Sequence, residues 1–308
     1  MLNTTAICLA SRLIARLGIL FACSLSPALA DSLTVSLVSS DSTPPFQQFS
    51  SALNKALAAS DADVTVIGSQ AGNGTDAGLV IAVGVKAMEL AIAKSDAPVL
   101  GVMIPRMGYE ALTESRSARH RSKAISAIYL DQPWDRQLSF IQAALPRHSV
   151  VGVLYSPNTP IVLPRLPQGM SLNAKSVSSV KTLFATLENI LNSSDVLLVI
   201  PDSEIYSSSN VRNILLTSYR QRVPLIGVSQ AYVNAGALCA IFSTPEQLAE
   251  QVAKAIISFS RGRQLPGPQY PESFSIGINN QVARSLGIEM ASPDAIRKRM
   301  EKAGEGGQ

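Results

Sequence analysis

Few side chains in this chain are suited to covalent chemistry. Histidine occurs only as His120 and His148. The first lies in the basic run "SRSARHRSK" and the second in "LPRHSVVGV", ahead of an apolar run rather than at its end, so neither is placed as a base or metal ligand. Of the three cysteines, Cys8 and Cys23 lie near the amino terminus, and Cys239 sits in apolar "GALCAIF", the context of a small buried residue rather than a nucleophile. No cluster of histidine, cysteine and carboxylate has metal-ligand spacing. "GNGTDAG" (Gly72–Gly78) has the glycines of a phosphate loop, but it precedes a strand-like run and lacks the Lys-Ser/Thr that grips phosphate, so it reads as a connector. Asp202 and Glu204, two apart in "PDSE", suit capping or holding a ligand amine better than paired acid–base hydrolysis. An enzyme is not expected, and no cofactor or metal is implied.

Non-covalent recognition is better provided for. Several apolar runs end in short polar loops: "SSDSTPP" with Ser39, Ser40 and Asp41, "VGVK" with Gly84 and Val85, "YSPN" with Tyr155, Ser156 and Pro157, "PDSEIY" with Asp202 and Tyr206, and "SQAYVNAG" with Ser229, Tyr232 and Gly236. In open α/β sheets ligands bind beyond the carboxyl ends of the strands, where such loops and helix N-termini gather. The tyrosines exceed what a turn needs. Three of them converging on Asp202, with amides after Asp41 and Gly84 opposite, would suit a zwitterion or a carboxylate with a planar group.

The elements that must position these loops are legible from periodicity. "LTVSLVSS", "DVTVIGS", "LVIAVG", "PVLGVMIP", "AISAIYLD", "VVGVLYSP", "DVLLVIP", "PLIGVS" and "FSIGIN" are continuous apolar runs, as expected of strands covered by helices on both faces. Helical patterns alternate with them at Pro45–Ala59, Val85–Lys94, Pro133–Leu145, Val180–Asn192, Ser208–Arg222, Pro245–Arg261 and Asn279–Leu286. Thr244, Pro245 and Gln247 form a capping-box start signal. The expected fold class is therefore α/β with mostly parallel sheets flanked by helices. Nine or more strands exceed one comfortable twisted sheet, and the charged stretch Thr113–Lys123 interrupts the pattern, so two lobes are expected.

Arg12 and Arg16, the apolar run "LGILFACSL" and the small residues Ala28 to Ala30 form an export signal, with cleavage expected before Asp31. Lipidation at Cys23 is the competing reading of this leader. The net charge is +4 for the whole chain, with 26 basic and 22 acidic residues, and falls to about +2 without the two leader arginines. Charges this balanced and scattered do not form a nucleic-acid or anionic-membrane surface.

The ordered series "IAVG", "VGVLYSPN", "DVLLVIPD", "SQAYVNAGAL" and "FSIGINNQVARSLGI" resembles the periplasmic substrate-binding proteins of the ABC-transporter substrate-binding family, over nearly the whole chain beyond the leader. The resemblance implies a type I periplasmic-binding fold of two lobes joined by a three-strand hinge. It assigns residues 31–128 and 241–264 to the first lobe, 129–240 and 268–290 to the second, and 291–308 to a tail. "ALCAIFS" would be a hinge crossing. Tyr155-Ser156-Pro157, Pro201-Asp202 and Tyr232 to Ala237 would face the cleft. The implied function is capture of a small organic solute, amino-acid-like or aromatic, by a monomeric receptor that delivers it to an inner-membrane ABC permease. The alternative is a sensory partner of a signalling protein. The family's Gly-Asn-x-Thr-Gly-x-Ser ligand element is replaced here by "KAISAIYLDQPWDRQL", with Ser126 its nearest polar equivalent.

Overall fold

A computed structural model describes residues 32–69, 77–114, 123–159 and 164–305. The leader, most of "GNGTDAG" and the run containing His120 lie outside the described residues. Strands β1 (Leu33–Ser39), β2 (Val64–Ser69), β3 (Leu79–Val83), β4 (Val99–Ile104) and β5 (Ile125–Tyr129) form a wholly parallel sheet in the order β2-β1-β3-β4-β5. Helices α1 (Pro44–Ala58), α2 (Val85–Lys94) and α3 (Arg106–Glu114) belong to this half. Alternate strand residues face two separate cores: Leu79, Ile81 and Val83 join Phe49 and Leu53 of α1, whereas Val80 and Ala82 join Met88 and Ile92 of α2. This is why β3 is buried at all five positions and reads as a continuous apolar run.

The second sheet takes β6 (Val150–Tyr155), β7 (Ser171–Ser176), β8 (Val196–Leu198), β9 (Leu225–Gly227), β10 (Cys239–Phe242) and β11 (Ser275–Ile278) in the order β11-β10-β9-β8-β6-β7. Only the β10–β11 pair is antiparallel. It carries α4 (Trp134–Ala144), α5 (Val180–Leu191), α6 (Ser208–Arg220), α7 (Gln230–Ala235), α9 (Asn280–Leu286) and α10 (Pro293–Glu305). Between β10 and β11 the chain returns to the first sheet as α8 (Pro245–Gly262), whose Leu248, Val252 and Ile256 pack with Phe49 and Leu53. Its N-terminus is the expected capping box: Thr244 Oγ1 accepts from the Gln247 amide at 3.2 Å, and Gln247 Oε1 accepts from the Thr244 amide at 3.0 Å.

The molecule is thus an α/β protein of two helix-flanked sheets, with β10 pairing wholly inside the second. Most of "ALCAIFS" is strand β10, with Cys239 paired to Ile226 and Ile278, and the crossing begins at its last residue, Ser243. Cys239 is buried, and burial pushes its thiol pKa up. Three segments connect the sheets, at residues 130–133, 243–244 and 271–274, and hydrogen bonds tie them together. Gln132 Nε2 donates to Ser243 Oγ at 2.9 Å, and Ser243 Oγ donates to the Ser273 carbonyl at 2.6 Å. Arg136 Nη1 braces the set, donating to Gln132 Oε1 and to the Pro271 carbonyl. One serine hydroxyl therefore joins all three crossings.

Four elements depart from the periodicity. β7, "SLNAKS", is a polar edge strand, α3 is short with Gly108 inside it, and α7 is a six-residue helix within the segment expected to be irregular. Residues expected as a tail instead form α10, which buries Ile296 and Met300 in the second core.

Candidate functional site

The carboxyl ends of β4, β5, β6 and β8 surround a cavity of about 370 Å³ lined by residues of both halves. Its size is at the lower end of small-molecule sites, roughly 300–1,000 Å³. From the first half come Arg106, Met107 and Glu110 of α3, together with Tyr270; from the first crossing and α4 come Asp131 to Asp135 and Gln137; the second half supplies Thr159, Pro164, Ile200 and Pro201.

Asp131 is the pivot of the charged wall. Its Oδ2 accepts the Arg106 amide at 2.9 Å and so caps α3 across 25 residues of sequence, whereas Oδ1 is buried with no hydrogen-bond partner. Burial pushes its pKa up to about 6, against the opposing effects of the Arg106 amide, its own amide and the Arg106 guanidinium. Arg106 turns its guanidinium to Glu110, Nε to Oε1 at 2.6 Å, and to the Tyr270 hydroxyl, Nη1 to Oη at 3.1 Å; these bonds hold its pKa above the ordinary arginine value. Tyr270 is fixed edge-on to Tyr129, which is edge-on to Tyr109, with centroid separations of 5.2 and 5.7 Å. Ser126 is buried behind this wall and donates to the Pro266 carbonyl, so its hydroxyl serves the fold.

The residues expected from sequence fall into three groups, none of which lines this cavity. Asp41 Oδ1 accepts the amides of Ser42 and Thr43, Ser39 donates to the Asp41 carbonyl, and Ser40 Oγ accepts the Ala87 amide at 2.7 Å. Ser40 thereby caps α2, whose preceding Gly84 has φ +90° and would meet Ser40 Oγ at 2.7 Å if it carried a Cβ. Val85 is exposed. The expected carboxylate-binding amides are thus partly committed within the chain.

The second group is Tyr155, Ser156, Pro157, Asp202 and Tyr206. Asp202 is not an open carboxylate: Oδ2 accepts the Ser156 amide at 2.7 Å, and Oδ1 accepts the amides of Glu204 and Ile205 at 3.0 and 3.2 Å. Burial would raise its pKa, but the Ser156 amide, the hydroxyls of Thr159 and Ser156 and the Ile205 amide bring it below the ordinary value. Ser156 Oγ in turn donates to Thr159 Oγ1, which positions a cavity residue. Tyr206 belongs to the second core and its hydroxyl is buried, so it is not a wall of this cavity. Tyr155 packs partly buried on the same core, and Pro157 is exposed.

In the third group Ser229 starts α7 and Gly236 ends it in the left-handed region at φ +119°. Tyr232 lies against Gly227, where any Cβ would collide with the tyrosine's own, and burial pushes its pKa up to about 12. Sequence reasoning missed Arg106, Asp131 and Trp134. They stand just past β4 and β5, and the strand-end rule applied to other loops would have found them. His148 is half-buried in another cavity, at the far end of α4 near Arg147 and Arg299, and burial lowers its pKa. Among the described residues no group of three histidines, cysteines or carboxylates could hold a metal ion, and no helix is long and apolar enough to cross a membrane.

Solved structures share this fold. A conserved domain protein of Vibrio cholerae O1 biovar El Tor is 16% identical with a TM-score of 0.59, over 87% of this chain and 98% of the other. A substrate binding protein with adhesive properties from Clostridium difficile, in its ligand-free open form, is 15% identical with a TM-score of 0.64, over 85% and 97%. An ABC domain from Streptococcus pneumonia in complex with L-Trp is 16% identical with a TM-score of 0.59, over 87% and 98%. No curated protein matches the chain. The family model for ABC transporter substrate binding proteins matches residues 52–302, which takes in every strand but β1, all three crossings and every residue of the cavity, and the chain belongs to that family.

Proposed function

We propose that this protein is an exported, periplasmic solute receptor that closes its two halves on a small organic molecule and delivers it to an inner-membrane ABC permease. The observation that carries this reading is the cavity: it draws its walls from both sheets at their carboxyl ends, and the hydrogen-bonded crossings run beside it. Opening and closing about so few connections is the expected hinge motion. The export signal read from Arg12 to Ala30 supports a periplasmic location.

The test is a thermal-shift screen of amines, amino acids, purines and organic acids on the chain beginning at Asp31. A solute at a hundred times its dissociation constant should stabilise the protein by about 2.7 kcal/mol. The bound form should also show a smaller radius of gyration in solution scattering. A broad library that shifts nothing would remove the solute reading. Co-purification with a permease, rather than with the periplasmic domain of a sensor kinase, separates delivery from signalling.

A further inference from the structure

We propose that a second cavity, at the end of α4 away from the crossings, binds a small organic carboxylate, with Arg147 and Arg299 on the carboxylate and Leu145, Ile288 and Met290 against its apolar body. This site is separate from the cavity between the halves, and its occupancy does not depend on that one.

The second cavity has a volume of about 550 Å³, within the range of small-molecule sites. It is made by the C-terminal end of α4, the turn into β6 and the stretch Gly287–Ala291 that joins α9 to α10. The His148 amide closes that turn on the Leu145 carbonyl at 2.9 Å. Ile296 and Met300 anchor α10 in the second core, so Arg299 stands on a fixed helix, and its Nη1 donates to the Ala143 carbonyl at 3.0 Å. Trp134, the first residue of α4, lines the first cavity and Ala144, the last, lines the second. A helix of that length rises about 16 Å, too far for one small molecule to occupy both cavities.

The charges select the ligand. Arg147, Arg299 and Glu289 line the cavity. Among the described residues the ion pairs are Arg106 with Glu110 and Lys254 with Glu272, so these three stand outside any. Two guanidiniums against one carboxylate leave a single net positive charge, which matches a monoanion, and a guanidinium fork fits a carboxylate in planar, bidentate fashion. The negative end of α4, which would oppose an anion, is covered: the Ile141 carbonyl by the Leu145 amide, the Ala143 carbonyl by Arg299 and the Leu145 carbonyl by the His148 amide. Asp195, the carboxylate acting on His148, is turned to the start of β6, where Oδ2 accepts the amides of Ser149 and Val150 at 2.8 Å each. His148 supplies no charge: burial lowers its pKa, and its Nδ1 is sealed without a hydrogen bond, so the ring is a neutral wall at pH 7.

The experiment is NMR on the chain from Asp31 carrying methyl-labelled methionine, because Met290 lines the second cavity and Met107 the first. The two signals are assigned with Met290→Leu and Met107→Leu. The probes are 3-phenylpropionate and hexanoate, each with the alcohol and the amine of the same body. The expected result is a saturable shift of the Met290 signal by a carboxylate, with Met107 unmoved and affinity at least tenfold above the matching alcohol and amine. Arg147→Gln, at an exposed position outside any ion pair, should lose at least tenfold in carboxylate affinity at an unchanged melting temperature. Arg299→Gln should do the same, and if loss of its bond to Ala143 prevents folding, Arg147→Gln and the alcohol comparison still decide. Alcohols or amines binding as tightly as the carboxylates would overturn the inference, as would normal binding by Arg147→Gln or a Met290 signal that no carboxylate moves. A carboxylate that shifts Met107 alone would overturn the second site while leaving the receptor reading intact.

Discussion

Asp131 and Asp202 each stand just beyond the carboxyl end of a strand, one after β5 and one after β8, and their surroundings are opposite. Asp202 receives three backbone amides on its two oxygens, and its pKa is lowered in spite of burial. Asp131 receives the Arg106 amide and weaker help from its own, keeps one oxygen without a well-formed hydrogen bond, and is pushed up to about 6. The first clamps the loops after β6 and β8 together. The second completes a helix cap with one oxygen, and its other oxygen is buried without a well-formed hydrogen bond. Residue type and place in the topology are shared, so what separates the ionisation of the two carboxylates is the count of donors around each.

The largest effect that could break this contrast is on stability. Asp202→Ala leaves the buried amides of Ser156 and Ile205 without their acceptor. Loss of charge-assisted bonds with such consequences costs about 3–5 kcal/mol. Denaturant unfolding should show that loss for Asp202→Ala and none of comparable size for Asp131→Asn. Equal losses would mean that both carboxylates are structural.

Next in size is a pH dependence of opposite sign. Burial puts the folded pKa of Asp131 at about 6, above the ordinary aspartate value, so the folded state holds its proton longer than the unfolded one. Its contribution favours folding at low pH, and stability falls as pH rises from about 4 through 6, by about 2–3 kcal/mol. Asp202 runs the other way: its pKa is lowered, so its stabilisation is present above the unfolded value and is lost as pH falls through the folded one. Arg106 faces Asp131 and lowers its pKa, and Glu110 raises it. Subtracting the stability curve of Asp131→Asn from that of the unaltered protein isolates the falling component, and a flat difference between pH 4 and 7 would remove it.

The same contrast explains what the sequence could tell. Continuous apolar runs and the Thr244–Gln247 box depend on neighbours within a few residues, and the sheets and α8 follow from them. Even so, α7 was hidden because six residues are too few for a helical period, and β7 because an edge strand has less apolar surface to bury. The strand-end loops could be located in the sequence, but whether a side chain in them is free could not. Asp202 is satisfied by an amide 46 positions away, and Ser40 caps a helix that begins 45 positions later. Trp134, the chain's one tryptophan, following "LDQP" after a strand, was the unused signal.

Ser243→Ala tests whether the crossings behave as one hinge. It removes the acceptor of Gln132 Nε2 and the donor to the Ser273 carbonyl, a loss of about 1–2 kcal/mol. If the bonds also set the angle between the halves, scattering of the ligand-free variant should give a broader or larger particle than the unaltered protein. A matched profile would confine Ser243 to local stability.

The smallest effect concerns the neighbour of Asp202. The Tyr206 hydroxyl is buried in the second core without a well-formed hydrogen bond, within reach of the Leu154 amide and near both Asp202 and Tyr232, and burial pushes its pKa up. Tyr206 does not line the cavity described, so a ligand there cannot satisfy its hydroxyl. Tyr206→Phe keeps the ring packed on the second core and removes only the desolvated oxygen. The variant should be more stable by about 1 kcal/mol, read as a higher urea midpoint at an unchanged slope. Its solute affinity should equal that of the unaltered protein. Weaker binding at unchanged stability would instead return Tyr206 to the wall of a binding site and move that site toward α7. A clear loss of stability would show that the hydroxyl is satisfied in solution, and the distinction drawn from donor counts would then apply to the carboxylates alone.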